Sequence, residues 1–330
     1  MIRSSLLLAL ALSVAVPAQA KVERFSKTVG STSVGSPPSP GTIEVPFILW
    51  GGDFAGFHAN GGLTTKSGSL FDKQGLKVKY TPGDDFVGQV RNYMSGKSPF
   101  LRGTFRMIGT AAEVLSKDPR TRPVIFMQMT WSAGDHLVAR GNVKTIKDLK
   151  GKTIVLQRGG PHIGMLDDVL RTAGLRWNDV KLQFVDDITG KNGPSAAFKR
   201  NRKIDATFVV TPDLIALTGG LNQVGTGAEG TVKGARAVDS SAFRAFTIAD
   251  VYAVRSDFYE ANKEWVEKFA AGYLRGVEQV IEMKKSKSSA YRKLLDSAVK
   301  IYGRDVLPNR DEADGLLSDC TFAGYPGNVE

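Results

Sequence analysis

The chain has 330 residues, of which 42% are hydrophobic and 23% are charged, and its formal net charge is +11. This composition is that of an ordinary folded globular protein and excludes a disordered or fibrous chain. A single cysteine, Cys320, excludes an internal disulfide, so the packed core must supply the stability. The basic excess is spread along the chain, which favours solvated surface positions over a nucleic-acid site.

The first twenty residues have the pattern of a secretory signal peptide. Arg3 precedes a short apolar run over residues 6–16, and Ala18-Gln19-Ala20 supplies a small-x-small cleavage site. We expect cleavage near Ala20 and a periplasmic protein, which also argues against a nucleic-acid partner. Residues 21–42 are rich in Ser, Gly, Pro and Thr, a composition that predicts a flexible leader.

Beyond the leader, short apolar runs alternate with amphipathic stretches. Strands are predicted over residues 43–50, 76–80, 106–109, 124–129, 153–157, 181–185, 206–210 and 247–254, and helices over residues 84–94, 161–173 and from 257 onward. This alternation predicts an α/β fold with open, mostly parallel sheets, and the length fits two of them. Ligands bind such sheets outside the carboxyl ends of the strands.

Uncommon side chains collect at these predicted strand ends, where we expect a ligand. The candidate ligand-binding residues are Trp50, Asp53, Phe57, His58, Trp131, Ser132, Asp135, Gln157, Arg158, Gly159, Gly160, His162 and Thr211. Residues 157–162 are the strongest motif, because a glycine-rich turn that opens a helix presents free N–H groups to an anion. Arg158 is placed to add a bidentate contact to a carboxylate, sulfonate or phosphate. The alternative is a tight turn with a solvated arginine.

Each of the other candidates has a structural alternative. Trp50, Phe57 and Trp131 either form the walls of a pocket or pack in the core. Asp53 and Asp135 either accept hydrogen bonds from a donor-rich ligand or cap a helix or turn. The candidate residues are therefore compatible with either an anionic or a zwitterionic ligand.

The sequence gives little support for a metal site or for enzyme activity. His58, His136 and His162 fall beside predicted cleft segments but lack metal-ligand spacing, so we expect no metal site. The motifs of hydrolases, phosphate-binding loops and zinc proteases are absent. Cys320 has no base near it in sequence, and we expect a small buried residue. We predict no catalytic residues, no cofactor and no enzyme activity.

Several segments carry a family resemblance. They are Leu-Phe-Asp-Lys-Gln-Gly-Leu at residues 70–76, Trp-Ser-Ala-Gly-Asp-His-Leu-Val at 131–138, Ile-Lys-Asp-Leu-Lys-Gly-Lys-Thr-Ile at 146–154 and Ile-Asp-Ala at 204–206. Over roughly residues 43–280, their order resembles the NMT1/THI5-like substrate-binding proteins of ABC importers for sulfonates, taurine, nitrate and thiamine precursors. The chain departs from the group at Arg202-Lys203-Ile204, where many members carry a glycine, and in the turn at residues 157–161.

The resemblance implies a two-lobed type II periplasmic binding-protein fold. The chain would cross between lobes near residues 136–140 and 247–254, so that lobe one is residues 43–137 plus 250–330 and lobe two is residues 138–249. The implied function is a periplasmic monomer that closes around a small molecule, delivers it to an ABC permease and ATPase complex, and touches the membrane only through the permease. An extracytoplasmic sensor or adaptor, and an enzyme resembling thiamine-pyrimidine synthases, remain alternatives.

Overall fold

The computed structural model describes residues 23–39, 41–244 and 247–329, so the predicted signal peptide lies outside the described residues. The strands are β1 (Thr42–Phe47), β2 (Lys77–Pro82), β3 (Phe100–Thr104), β4 (Pro123–Ser132), β5 (Asp135–Ala139), β6 (Thr153–Gln157), β7 (Lys181–Val185), β8 (Ala206–Val210), β9 (Arg236–Ser240), β10 (Ala249–Arg255) and β11 (Cys320–Phe322). The helices are α1 (Phe25–Val29), α2 (Asp53–Asn60), α3 (Leu70–Lys73), α4 (Phe86–Ser95), α5 (Phe105–Leu115), α6 (His162–Thr172), α7 (Pro194–Arg200), α8 (Thr211–Thr218), α9 (Ser256–Ala261), α10 (Lys263–Lys285), α11 (Ser289–Tyr302) and α12 (Arg310–Ser318).

The strands form two structural units, as the α/β prediction requires. One unit contains the sheet β11-β4-β10-β3, with the β1-β2 pair packed beside β3, and the other contains the sheet β7-β6-β8-β5-β9. The chain passes from the first unit to the second between β4 and β5, and it returns between β9 and β10. Two passages close together in space make a hinge possible. Within the described residues, no helix is long and apolar enough to cross a membrane.

The sheets are mixed, so the prediction of mostly parallel sheets is wrong in this detail. Parallel pairing joins β1 to β2 and β6 to both β7 and β8. In contrast, β10 is antiparallel to β3 and β4, and β5 is antiparallel to β8 and β9. The physical reason is the path of the chain. A strand that arrives from the other unit starts at the boundary and runs away from it, opposite to neighbours that run towards the boundary.

Residues 106–109, predicted as a strand, lie inside helix α5. The strand is the preceding segment, β3, and the Thr104 hydroxyl starts the helix by accepting a hydrogen bond of 3.2 Å from the Met107 N–H. The buried side chains of α5 recur at helical spacing from Met107 to Leu115. Four residues are too few to distinguish the periodicity of a helix from that of a strand.

Residues 23–39, predicted as a flexible leader, instead pack against the first unit. Phe25 and Val29 are buried in a cluster with residues of α4 and α5. Arg91 donates hydrogen bonds to the carbonyls of Thr28 and Val29 at 2.9 and 2.8 Å. Farther along, Arg255 donates to the Gly35 carbonyl at 2.9 Å. The segment has few apolar residues, as its sequence showed. Two buried side chains and the arginine contacts to backbone carbonyls nevertheless hold it against the first unit.

We expect Phe25→Ala to lower the free energy of unfolding by about 3 kcal/mol, because it removes a buried aromatic ring and leaves a cavity. The measurement is urea unfolding of the protein without residues 1–20. Phe243→Ala is the matched control, since Phe243 is 79% exposed. Equal stabilities of the two variants would contradict the docked position of α1.

Candidate ligand-binding cleft

A groove of about 1760 Å³ begins between the two units and continues along the second unit past the edge strand β7 to residues 201–205. The first unit contributes Thr104, Phe105 and Arg106 at the start of α5, and the second contributes residues 158–161 before α6. Phe25 of the docked leader lies at its edge. Helices of both units therefore begin at the groove, and their first turns leave N–H groups without a helical partner.

The glycine-rich turn has the geometry that its sequence predicted. Gly159 has a φ of +65°, in the left-handed region. A Cβ at Gly159 would lie 3.2 Å from the Phe25 ring, and one at Gly160 would displace the Gln157 amide. The positive φ of Gly159 favours glycine there, and Gly160 leaves room for the Gln157 side chain. Helix α6 begins at His162, one residue later than predicted, with Pro161 directly before it.

Arg158 lies on the wall of the groove with its side chain 42% exposed. Its Nε is 3.8 Å from Oδ1 of Asp186, which is itself exposed, and its guanidinium lies 5.3 Å from the centre of the Phe184 ring. These contacts are loose for an arginine. The side chain is therefore accessible to an anion in the groove.

Two polar bridges join the units across the cleft. Gln157 donates from Nε2 to the carbonyls of Asp84 in the first unit and Asp186 in the second, at 2.9 and 3.0 Å. Arg106 donates to the Gly164 carbonyl at 2.7 Å and to Oδ1 of Asp168 at 2.9 Å. The two units are therefore in direct polar contact at the cleft. Sequence analysis missed Arg106 and Asp84, because the first was assigned to a strand and the second lay inside a predicted helix.

A fully buried ion cluster underlies the first unit's side of the cleft. Arg102 contacts Asp53 at 2.9 Å and Asp250 at 2.8 Å, and Asp250 also accepts a hydrogen bond from Thr130 at 3.1 Å. Burial raises the pKa of Asp53 to about 7 despite the neighbouring Arg102. Trp50 donates from its indole N–H to the Thr130 hydroxyl at 2.9 Å and is 4% exposed. Trp50 and Asp53, both predicted to touch ligand, are therefore engaged with the protein itself.

A second buried cluster lies where the chain passes between the units. Asp135 at the start of β5 accepts hydrogen bonds from Nε2 of His162, at 2.8 Å, and from the Ser132 hydroxyl. Although burial opposes its charge, His162 holds the pKa of Asp135 below the usual range. Nδ1 of His162 is buried and has no hydrogen-bond partner among the described residues. The structure thus brings together three of the predicted residues, with His162 joining Ser132 and Asp135 from a different element.

Further buried polar residues lie beside the cluster of Asp135 and His162, and one of them comes from the C-terminal segment. Nε2 of His136 lies 2.9 Å from the hydroxyl of Thr211, which starts α8. Burial lowers the pKa of His136 to about 4. Asp319, between α12 and β11, adjoins Thr211, and burial raises the pKa of Asp319 to about 6. Sequence analysis missed Asp319, since nothing near it marks a strand end.

Phe57 and His58 lie away from the groove. Phe57 is 2% exposed and packs edge-on against the rings of Phe47, Tyr80 and Tyr302. His58 pairs with Oε1 of Gln279 at 2.7 Å. Both residues lie at least one helical turn beyond the start of α2, which carries them away from the strand ends.

Trp131 is half-buried and lines a second, smaller chamber of about 480 Å³ beside the groove. Its position at the end of β4 is the one that the sequence predicted. Among the described residues, no group of three or more His, Cys, Asp and Glu side chains is placed to hold a metal ion. Cys320 is half-buried, its thiol faces the Leu316 carbonyl at 3.5 Å, and burial raises the pKa of this thiol well above its usual range.

Comparison with known proteins adds a family and several structural neighbours. A family model described as NMT1/THI5 like matches residues 60–285. No curated protein matches the chain. The periplasmic aliphatic sulphonate-binding protein SsuA from Escherichia coli has 16% identity and a TM-score of 0.62, with 86% of this chain and 84% of that chain covered.

Two further neighbours have similar coverage. The periplasmic nitrate-binding protein NrtA from Synechocystis PCC 6803 has 13% identity and a TM-score of 0.58, over 84% of this chain and 70% of that chain. The desulfurization enzyme DSZB has 13% identity and a TM-score of 0.50, over 84% and 90%. At these identities the likeness concerns the fold alone, and it confirms the predicted two-lobed type II arrangement.

We expect Asp319 to make stability fall as the pH rises from about 4 to about 6. Its pKa is 3.8 in a model peptide and about 6 in the folded protein. The folded state therefore binds this proton more tightly than the unfolded state does. The resulting contribution to the free energy of unfolding is fully present below pH 4 and is lost as the pH rises past 6. The difference in unfolding free energy between wild type and Asp319→Asn should fall by up to about 3 kcal/mol over this window.

Urea unfolding at half-unit pH steps measures this difference. Asp311→Asn, at an exposed position of α12, is the control, and its curve should run parallel to that of the wild type. Parallel curves for wild type and Asp319→Asn would show that Asp319 does not titrate in this window.

Proposed function

Because the chain belongs to the NMT1/THI5-like family, we propose that it is a periplasmic solute-binding protein. It captures a small organic ligand between its two lobes and delivers it to the permease and ATPase of an ABC importer. The Escherichia coli and Synechocystis neighbours, described as periplasmic binding proteins for an aliphatic sulphonate and for nitrate, support this assignment.

The observation that carries the proposal is the groove of about 1760 Å³ with walls from both units. A ligand in such a groove touches both sides and stabilises the closed arrangement. We take lobe one as residues 43–137 plus 250–330 and lobe two as residues 138–249. The positions of the two chain passages support a division near these residues. Because all of β5 belongs to the sheet of lobe two, the first boundary moves to residue 134.

The chemistry of the groove favours an acidic group on the ligand. The turn formed by Gly159 and Gly160 lets a ligand approach the backbone, and α6 begins two residues later. The start of a helix attracts negative charge. Arg158 is exposed beside this turn and adds a positive charge. An anionic or zwitterionic molecule satisfies all three features.

An enzyme is the alternative that one neighbour, the desulfurization enzyme, favours. The buried trio Ser132, Asp135 and His162 superficially resembles a catalytic triad. However, the Ser132 hydroxyl donates to Asp135 and not to His162, so the imidazole is not placed to take the proton of the serine as it does in such a triad. The protonated thiol of Cys320 is a poor nucleophile. We therefore propose binding without turnover. A sensor or adaptor would capture its ligand in the same cleft and differs only in its partner.

We expect the ligand to close the lobes. The probe is the small molecule that copurifies, identified by mass spectrometry after denaturation and added back to stripped protein. Small-angle scattering should give a smaller radius of gyration with the ligand than without it, since closure brings the lobes together. An unchanged radius at saturation would contradict hinge closure. Steady conversion of the molecule by pure protein would favour the enzyme.

We expect Arg158→Ala to weaken binding of this molecule by about tenfold, because a charge-assisted hydrogen bond is lost. Calorimetry measures the affinity. Arg158→Lys should restore only part of it if the contact is bidentate. Arg304→Ala, at an exposed position outside the groove, removes the same charge and should leave the affinity unchanged. Equal losses in the two alanine variants would reduce the role of Arg158 to long-range attraction.

A further inference from the structure

One end of lobe two brings together the ends of four strands. Ala139, the last residue of β5, pairs with Ala206, the first residue of β8. Ala206 also pairs with Ile154, near the start of β6. Next to it, Thr153 of β6 pairs with Lys181, the first residue of β7. Because the chain enters from lobe one at the opposite end of β5, this end of the sheet lies far from that passage.

Three segments of the chain meet at this end of the sheet. Residues 140–152 run from β5 to β6, residues 176–181 lead into β7, and residues 199–205 lead from α7 into β8. They contain eleven Lys and Arg residues and three Asp residues, a net charge of +8 against +11 for the whole chain. The fold thus gathers in one place most of an excess that the sequence spreads along the chain. We call this surface the basic end, and its positive residues are Arg140, Lys144, Lys147, Lys150, Lys152, Arg176, Lys181, Lys199, Arg200, Arg202 and Lys203.

The three carboxylates of the basic end leave most of this charge without a partner. Asp148, Asp179 and Asp205 each accept a hydrogen bond from a backbone N–H, at 3.0, 2.8 and 2.9 Å. Within the described residues, the one ion pair of the basic end joins Nζ of Lys152 to Oδ1 of Asp205 at 4.0 Å. A surface pair at this distance contributes little. The remaining positive side chains are therefore not held by a carboxylate.

The positive side chains of the basic end are accessible and crowded. Nine of the eleven are exposed, and Arg140 and Lys152 are half-buried. Burial and the nearby charge of Arg202 lower the pKa of Arg140. Such crowding creates a local positive potential that an approaching negative charge relieves. The basic end therefore suits an anionic partner.

The composition of the basic end also indicates the kind of partner. Its larger apolar side chains, such as Leu149 and Ile204, are buried, and Trp177 is half-buried with its indole N–H bonded to Asp167 at 2.8 Å. The core of a protein interface is apolar and depleted in charge, and single-stranded nucleic acid stacks on exposed aromatic rings. The basic end offers neither. Separate, flexible lysines suit a surface of dispersed negative charge, such as phospholipid headgroups.

We propose that the basic end docks lobe two on an anionic phospholipid surface. The contact is peripheral and electrostatic, made by exposed Lys and Arg side chains without insertion of any segment. The inference goes beyond the proposed function and requires no ligand in the cleft. For an importer subunit, such a contact keeps the protein beside the membrane that contains the permease.

The test is cosedimentation of the protein without residues 1–20 with vesicles of phosphatidylglycerol and phosphatidylcholine in equal parts, and of phosphatidylcholine alone. The protein should bind the mixed vesicles and not the neutral ones. Binding should fall by at least about tenfold between about 0.01 M and about 0.15 M salt, because the screening length shortens from roughly 30 to roughly 8 Å. Equal binding to the two kinds of vesicle would overturn the proposal.

Two variants that remove the same charge locate the effect. The basic-end variant carries Lys144→Gln, Lys147→Gln, Lys150→Gln and Lys199→Gln, all at exposed positions. The matched control carries Lys285→Gln, Lys287→Gln, Lys293→Gln and Lys300→Gln, at exposed positions of lobe one. The basic-end variant should bind mixed vesicles at least about tenfold more weakly, since each lysine near the surface contributes about fivefold, and the control should bind as the wild type does.

The outcomes separate this inference from other partners and from the proposed function. Equal losses in the two variants would reduce the effect to net charge and overturn the assignment. Tighter binding to a single-stranded oligonucleotide than to the mixed vesicles, lost in the basic-end variant, would overturn it in favour of nucleic acid. The four positions lie outside both cavity linings, so calorimetry should show unchanged affinity for the copurified molecule. Circular dichroism confirms folding, and the double variant Lys150→Gln/Lys199→Gln decides the question if the fourfold variant does not fold.

Discussion

The buried pairing of Arg102 with Asp53 and Asp250 is the interaction on which the cleft depends. It joins three elements at one point: the strand β3, the first residue of α2 and the second residue of β10. All three residues are at most 3% exposed. Two carboxylates at such depth require a partner, and loss of one member of a buried ion pair typically costs about 3–5 kcal/mol. The wall of lobe one is therefore fixed before any ligand arrives.

The same cluster sits beside the path by which the chain returns to lobe one. Asp250 follows Ala249, which lines the smaller chamber beside the groove. Asp250 also accepts a hydrogen bond from Thr130 on β4. Across the boundary, Asp135 holds the start of α6 through His162. Each lobe thus has a buried charge that ties a strand at the passage to the start of a helix, α2 in lobe one and α6 in lobe two. Rigid walls joined by two short passages are the arrangement that permits closure without unfolding either lobe.

The groove and the smaller chamber beside it differ in their linings. The glycine turn and Arg158 line the groove, whereas Phe105, Ile125 and Trp131 are among the mostly apolar residues that line the smaller chamber. The relatives described as binding an aliphatic sulphonate and nitrate share the fold, so the fold does not choose between such ligands. The docked leader adds Phe25 at the edge of the groove, beside Gly159.

The sequence by itself determined the features that depend on local spacing. The strands β6, β7 and β8 have the predicted bounds, and the turn of Gly159 and Gly160 has the predicted place before a helix. Those features follow from apolar periodicity and from the conformations open to glycine. The segments of residues 70–76 and 146–154 also pointed to the family that the comparison confirmed.

Tertiary structure alone decided which of these residues face the ligand. Asp53 and Trp50 stand at a strand end, as predicted, yet Arg102 and Thr130 occupy their polar groups. Arg102 lies within a strand that the sequence reading missed, and Asp250 is 148 residues away from it. The spacing of apolar residues indicates on which face of its own helix or strand a side chain lies. It does not indicate which charged residue from a distant part of the chain will pair with that side chain. Such pairings depend on how elements far apart in the chain pack together, and so does the open chamber beside Trp131.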